Sequence, residues 1–289
     1  GDLIYICAPA KAVDQESVFY AKTYLEKKGF RVEISANCLG EHGYFSGTTL
    51  ERVADFQEGL DRLDVKAILC ARGGYGSIQL MEYLQWAAFL RDPKWIIGFS
   101  DITVFHQYLD LSEIPSLHAT MPLNFEQNSA ESLETLVNAI SGKSYEITCF
   151  NHSLNQYGEI SAPIIGGNLS ILYSQLGSKN RPSYKGKILF IEDVGEQAYA
   201  VDRMLYALKD SGVWDEVSGL IVGSFTSIGE TLAPTNLDYK QTILDHLSFL
   251  KIPVVFDFPA GHQNDNRAVI LGTIACLKVD EKGVKLSFL

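Results

Sequence analysis

The sequence predicts an α/β protein with a doubly wound, mostly parallel sheet in its N-terminal part and a mixed α/β domain, ending in antiparallel strands, in its C-terminal part. Short apolar runs such as Leu3–Ala8 alternate with amphipathic helical patterns through the first half. That alternation is typical of buried parallel strands and their crossover helices. The last part instead has alternating runs around Asp280–Gly283, as expected for a hairpin.

Length and composition restrict the class of protein further. At 289 residues and 46% hydrophobic content, the chain can form one large domain or two domains with buried cores. Its formal net charge of -11 argues against nucleic acids or anionic membranes as partners. The five cysteines are scattered without a C-x-x-C pair, which predicts reduced core residues in a cytoplasmic protein. No apolar run reaches the ~18 residues of a membrane span.

Strands and helices alternate through the first half of the chain. The first apolar run ends at Pro9 and the helical pattern after it ends at Gly29, so the chain opens with a βαβ unit. The predicted elements are strand 3–8, helix 17–28, strand 31–35, helix 49–63, strand 65–71, helix 78–84, strand 95–99, helix 104–109, strand 115–118 and helix 132–140. This order predicts right-handed crossovers in one parallel sheet.

The pattern changes near residue 145, where alternating runs flank a polar segment. We therefore predict an N-terminal α/β domain over residues 1–145, a linker over 146–159 and a C-terminal domain over 160–289. The predicted elements of the C-terminal domain are helix 168–176, strand 187–191, helix 199–208, strand 217–222, helix 237–250, strand 254–256 and terminal strands 268–271, 273–279 and 284–288.

The stretch Trp95–Thr103 predicts a strand, a sharp turn and a helix, with Ser100 at the turn. A hydroxyl at such a corner projects from the carboxyl end of the sheet, beside the first free N–H groups of the helix. The stretch could therefore hold a nucleophile and part of its oxyanion hole. The match to a nucleophile elbow is incomplete, because Ile102 stands where a second glycine is usual. The alternative is a Ser-Asp helix cap without a catalytic role.

A glycine cluster, Arg72–Ser77, follows the third predicted strand. It is not a P-loop, since no Gly-Lys-Ser/Thr follows, and a dinucleotide fingerprint belongs on the first strand of a Rossmann unit. What remains is a loop whose backbone can approach a ligand closely. The alternative is a tight turn before the next helix.

Three polar residues at the ends of apolar strands could form a catalytic set: Ser100, Glu192 and His262. A serine hydroxyl needs a histidine to take its proton, and the histidine needs an acid to fix its tautomer. The alternatives are a solvated loop for Glu192 and a turn contact for His262. His118 also lies near a strand end, where it could be a ligand or base, or a histidine satisfied by a backbone partner.

Six short motifs occur in order over nearly the whole chain. They are Gly1–Pro9, Arg72–Gly76, Gly98–Thr103, Gly166–Ser170, Ile191–Glu196 and Gly261–His262. Together they resemble the LD-carboxypeptidase family of serine peptidases, which includes muramoyltetrapeptide carboxypeptidases and has microcin-immunity peptidases as relatives. The resemblance implies an active site in the cleft between an N-terminal domain with the nucleophile and a C-terminal domain with the acid and base.

The resemblance also implies a role for each matching residue. The nucleophile is Ser100, the acid is Glu192 and the general base is His262. The oxyanion hole consists of the Asp101 amide and an amide of the Gly73-Gly74 segment, where the absence of a side chain admits a developing alkoxide.

The implied reaction removes the terminal D-alanine from a muropeptide tetrapeptide during murein recycling in the cytoplasm. The bond cut joins the L-centre of a diamino acid to D-Ala, and no metal or cofactor is required. A carboxypeptidase must also hold the free carboxylate of its substrate, and an acidic chain needs a local cation or a nest of backbone amides for this. Arg72 and Arg267 are the candidates. The resemblance further implies a homodimer.

Two other functions compete with this hypothesis. A microcin-immunity peptidase would use the same triad on peptidyl or aminoacyl adenylate analogues, and an aromatic shelf for a nucleobase would favour it. A two-domain protein that binds a small anion would use the glycine loop and helix N-termini without turnover. The segment Gln263–Arg267 departs from the proline- and leucine-rich stretch common in the family, which affects the expected substrate more than the chemistry.

Overall fold

The structure is a computed structural model that describes residues 1–179, 181–229, 238–247 and 249–288. The described strands are β1 (Leu3–Cys7), β2 (Arg31–Ile34), β3 (Val65–Cys70), β4 (Trp95–Gly98), β5 (Ser116–His118), β6 (Glu146–Cys149), β7 (Gly158–Asn168), β8 (Ile188–Val194), β9 (Gly219–Thr226), β10 (Val254–Val255), β11 (Val269–Leu271), β12 (Ile274–Asp280) and β13 (Gly283–Phe288). The described α-helices are α1 (Gln15–Lys27), α2 (Thr49–Asp61), α3 (Ser77–Leu80), α4 (Ala87–Arg91), α5 (Thr103–Asp110), α6 (Ala130–Ile140), α7 (Leu169–Ser174), α8 (Ala198–Asp210), α9 (Val213–Glu216) and α10 (Tyr239–Leu247).

The first sheet has the strand order β11-β5-β4-β3-β1-β2, and its strands are parallel except for β11. Alternate residues of β1 enter different apolar clusters: Ile4 and Ile6 lie in one, and Tyr5 and Cys7 in the other. Both faces of the sheet are therefore covered, which explains why β1 is apolar throughout.

The second sheet has the strand order β10-β9-β8-β7-β12-β13-β6. Strands β7 to β10 are parallel, whereas β12, β13 and β6 form an antiparallel extension of β7. The strand directions in both sheets are thus those expected from the sequence, and the predicted α/β fold class is confirmed. No helix in the described ranges is both long enough and apolar enough to cross a membrane.

Some elements differ from the sequence prediction. The segment 146–159, predicted as a linker, contains β6 and the start of β7, so part of it belongs to the second sheet. Strand β11 leaves the C-terminal half and pairs with β5 of the first sheet. The helix predicted over 78–84 is the short α3, and α4 and α9 were not predicted. The predicted start of α10 at residue 237 lies outside the described residues.

Close contacts join the two sheets beside the turn after β4. The Asn168 amide donates to Thr103 Oγ1 at 3.1 Å. A Cβ on Gly167 would lie 2.5 Å from that same oxygen, so only glycine allows β7 to approach α5 this closely. At the other end of α5, Lys187, which directly precedes β8, donates through Nζ to both oxygens of the largely buried Asp110 carboxylate, at 2.7 and 2.6 Å. The carboxyl ends of the two sheets therefore meet at one cleft.

Candidate active site

Ser100 lies at a strained turn between β4 and α5. Its φ of 64° is in the left-handed region, which is uncommon for a residue with a side chain. A Cβ on Gly98 would lie 2.8 Å from Ile102 Cγ1, so the chain can turn sharply only because residue 98 has no side chain. Gly98 thus permits the sharp turn that is typical of a nucleophile elbow, although Ile102 stands in place of the usual second glycine.

The glycine loop after β3 lies against this serine. A Cβ on Gly73 would be 3.2 Å from Ser100 Oγ and 3.4 Å from the Asp101 amide nitrogen. The backbone of Gly73, the hydroxyl and the first amide of the turn therefore share one small space. Such a space can admit the oxygen of an attacked carbonyl.

The Asp101 side chain fixes the turn to the glycine loop. Its buried carboxylate accepts a hydrogen bond from the Ser77 amide at 2.8 Å. Burial raises the pKa of Asp101, and the hydrogen bond from Ser77 opposes this rise. The loop is also held to β1, because the Lys11 amide donates to the Gly73 carbonyl at 3.3 Å.

Glu192 and His262 come together from distant parts of the second half of the chain. Glu192 is fully buried on β8, and its Oε2 lies 2.6 Å from Nδ1 of His262. A Cβ on Gly261 would lie 2.8 Å from the same carboxylate oxygen, so the residue before His262 must be small. Phe99 supports the imidazole from the first sheet, with ring centroids 4.8 Å apart in an edge arrangement.

The pKa values of this pair are shifted in opposite directions. Burial alone would raise the pKa of Glu192, but His262 and His118 outweigh burial and lower it to about 2. Burial alone would lower the pKa of His262, but the Glu192 carboxylate outweighs burial and raises it. Glu192 is therefore the ionised partner that orients the imidazole through Nδ1.

His118 is close to the same carboxylate. Its side chain is fully buried on β5, and Nε2 lies 3.8 Å from Glu192 Oε1. Neither ring nitrogen of His118 has a hydrogen-bond partner among the described residues. One alternative from the sequence was a hydrogen bond from His118 to the backbone. The described ranges contain no such bond, and the imidazole faces Glu192 instead.

A cavity of about 360 Å³ contains the candidate site. Ser100, Asp101, Gly73, Gly74 and His262 all line it. Its remaining lining residues, apart from Arg72, are Lys11, Tyr44, Phe99, Met121, Leu123, Asn124, Asn168, Ser170, Ile171, Asp193 and Val194. Ser100 and His262 thus face the same space, although no hydrogen bond joins their side chains in the described structure. Such contacts are often long before substrate binds.

The two arginines predicted to hold a substrate carboxylate have different positions. Arg72 lines the cavity, and its Nη1 donates to the Ala12 carbonyl at 2.9 Å. Arg267 does not line it: its guanidinium forms an ion pair with Asp265 at 2.9 Å and lies in a separate groove with Phe150. The structure therefore places Arg267 outside this cavity, beside a carboxylate of its own loop.

Among the ionisable side chains that line the cavity, sequence reasoning missed Lys11, Tyr44 and Asp193. Lys11 follows β1 and Asp193 ends β8, so their positions at carboxyl ends of parallel strands were a usable signal. Asp193 accepts hydrogen bonds from Asn168 Nδ2 and the Ser170 amide, both at 2.9 Å. Burial and the charge of Glu192 raise the pKa of Asp193 to about 7. In the described part of the chain, no group of three or more His, Cys, Asp or Glu is arranged to hold a metal ion.

A serine at a strained turn, with an imidazole across the cavity and backbone amides beside it, is typical of a serine-type hydrolase. The LD-carboxypeptidase N-terminal domain model matches residues 4–119, and the LD-carboxypeptidase C-terminal domain model matches residues 161–277. The chain belongs to the LD-carboxypeptidase family, peptidase family S66, and is a serine-type carboxypeptidase. The resemblance found in the sequence motifs is thereby confirmed.

Individual relatives cover almost the whole chain. The probable murein peptide carboxypeptidase of Bacillus subtilis is 30% identical over 98% of this chain and 90% of its own. The crystal structure of muramoyltetrapeptide carboxypeptidase from Oxalobacter formigenes superposes with a TM-score of 0.88 at 27% identity, covering 98% of both chains. The microcin C7 self-immunity protein MccF of Escherichia coli is 27% identical over 97% of this chain and 90% of its own.

Proposed function

We propose that the protein removes the terminal D-alanine from a muropeptide tetrapeptide by cutting its bond to the L-centre of a diamino acid. The observation that carries the proposal is the 2.6 Å contact between His262 Nδ1 and Glu192, with the imidazole on the same cavity as Ser100. The names of the Bacillus and Oxalobacter relatives support a murein peptide as the substrate.

The proposed mechanism uses the chain's own groups in two steps. His262 Nε2 takes the Ser100 proton as Oγ attacks the carbonyl carbon. Glu192 meanwhile accepts a hydrogen bond from Nδ1–H of His262 and remains ionised. The amides of Asp101 and of Gly73 or Gly74 donate hydrogen bonds to the developing oxyanion. His262 then protonates the departing amine of D-Ala, the carbon–nitrogen bond breaks, and an acyl-enzyme remains. Water activated by His262 hydrolyses this ester and restores the Ser100 hydroxyl.

We also propose that the enzyme acts in the cytoplasm in murein recycling, as a homodimer, and that each chain has an N-terminal and a C-terminal domain divided near residues 146–159. All five cysteines are free, which supports a reducing compartment. Residues 120–160 lie between the two matched domain models, which supports a boundary in that region.

The test is an assay of D-Ala release from purified tetrapeptide by wild type, Ser100→Ala and a matched surface variant, Ser112→Ala. Ser112 is exposed after α5, outside the cavity. We expect release by wild type and by Ser112→Ala, and none by Ser100→Ala. Undiminished release by Ser100→Ala would remove this serine from the mechanism.

The same preparations distinguish the competing functions. Of the two aromatic residues that line the cavity, Phe99 is buried against His262, so only the Tyr44 ring, which is 45% exposed and carries Lys11 Nζ over one face, could contact a nucleobase. Faster turnover of an aminoacyl adenylate analogue than of the tetrapeptide would nevertheless favour the microcin-immunity activity. Failure of a fluorophosphonate probe to label Ser100 would favour a binding protein.

A further inference from the structure

Lys11 runs along the glycine loop that borders the cavity. Its amide donates to the Gly73 carbonyl at 3.3 Å. A Cβ on Gly74 would lie 2.9 Å from Lys11 Cβ and 3.5 Å from Lys11 Cδ. The alkyl chain of Lys11 therefore packs against the backbone that we assign to the oxyanion hole, and its ammonium lies two bonds beyond Cδ.

Tyr44 holds this side chain from another side. Lys11 Nζ lies 4.8 Å from the centroid of the Tyr44 ring, within the range of a cation–π contact. The Tyr44 hydroxyl would lie 2.7 Å from a Cβ on Gly74, so the ring also packs over the loop. A cation–π contact uses the charge of the ammonium but leaves its N–H donors available for an anion.

The charge of Lys11 has no carboxylate partner among the described residues, although the whole chain has 35 acidic and 24 basic residues. Several other cations in the described ranges are paired with carboxylates: Arg267 with Asp265, for example, and Lys187 with Asp110. Arg72, the other lysine or arginine in the cavity lining, already donates to a backbone carbonyl. An unpaired ammonium at a cavity wall is the chemistry expected for binding an anionic ligand.

The position of Lys11 fits one anion in particular. In a carboxypeptidase substrate, the free carboxylate is bonded to the Cα that follows the scissile nitrogen, so it lies next to the attacked carbonyl. A cation beside the oxyanion loop can reach that carboxylate while the carbonyl faces Ser100. We propose that Lys11 Nζ, held by Tyr44, binds the terminal carboxylate of the peptide and makes the enzyme specific for C-terminal residues. This inference rests on the proposed function.

The test compares two substrates: the tetrapeptide with a free D-Ala carboxylate and the same peptide ending in D-Ala carboxamide. Wild type is expected to prefer the acid. Lys11→Met should lower kcat/KM for the acid by about 10- to 100-fold, mainly through KM, because it loses a charge-assisted hydrogen bond. Turnover of the amide should change little, and Lys11→Arg should recover much of the preference for the acid.

Lys282→Met is the matched control, since Lys282 is exposed in the β12–β13 turn and lines a groove separate from this cavity. Unchanged amide turnover by Lys11→Met also shows that the variant is folded. If wild type cleaves the acid and Lys11→Met retains the full preference for it, the assignment of Lys11 is wrong and the proposed function stands. If wild type releases neither D-Ala from the acid nor D-alaninamide from the amide, the proposed function itself fails.

Discussion

His118 Nε2 lies 3.8 Å from Glu192 Oε1, and both side chains are fully buried. The distance is too long for a hydrogen bond, but the low polarity of the interior strengthens the interaction of the imidazole with the charged carboxylate. Since the other oxygen of Glu192 contacts His262, the carboxylate divides its charge between two imidazoles. His118 is thus placed to moderate how strongly Glu192 raises the pKa of His262.

Replacement of His118 tests whether it weakens the effect of Glu192 on the pKa of His262. His118→Phe keeps a ring that can pack on Phe190, whose centroid is 4.8 Å from the imidazole. Without His118, Glu192 should act more strongly on His262, and the acidic limb of kcat/KM should move to higher pH by up to about 1 unit. A pH profile for the tetrapeptide checks the shift. A merely structural role for His118 would lower activity at every pH without moving the limb.

Glu192→Gln should move the same limb in the opposite direction. In the proposed mechanism His262 must be neutral to accept the Ser100 proton, so activity should be full above the pKa of His262 and should fall as pH drops through it. Because Glu192 raises that pKa, its replacement by an amide should shift the limb to lower pH. We also expect kcat to fall by about 10³- to 10⁴-fold, because the amide no longer fixes the productive tautomer. An unmoved limb would show that Glu192 does not set the pKa.

Gly73→Ala should impair catalysis with little loss of stability. Gly73 has no positive φ, so alanine can adopt its backbone conformation. The added methyl would lie 3.0 Å from Ser100 Cβ and 3.2 Å from Oγ, which displaces the nucleophile or the loop. We expect kcat to fall by about 10²-fold, the effect of a misplacement near 1 Å. Steady-state kinetics with urea unfolding would check both effects, and wild-type kcat would contradict the placement of this loop.

The sequence predicted those parts of the site that depend on local patterns. The turn at Ser100 follows from an apolar run, a small polar pair and a helical pattern, and the structure has these elements at that place. The end of β8 likewise places Glu192 at the carboxyl edge of a buried strand. Strand ends identify candidates because ligands of open α/β sheets bind outside the carboxyl ends of the parallel strands.

Contacts that depend on strand order could not be predicted. Lys11 adjoins Gly73 because β1 pairs with β3, and nothing in the residues after Pro9 indicates that pairing. For the same reason Arg267 was a plausible carboxylate ligand until the structure placed it beside Asp265. The role of Gly167 was also hidden, since it depends on the approach of Thr103 from the other sheet.

The strain at Ser100 predicts a difference in stability between two variants that lack the hydroxyl. Ser100→Ala keeps a Cβ at a φ of 64°, whereas Ser100→Gly removes the steric cost of that conformation. Ser100→Gly should therefore be more stable than Ser100→Ala by about 1 kcal/mol, as measured by urea unfolding. At Ser112, which has no positive φ, the order should reverse, because glycine there only adds freedom to the unfolded chain. Equal stabilities of the two Ser100 variants would show that the turn is not strained, and the hydroxyl would then owe its position to packing alone.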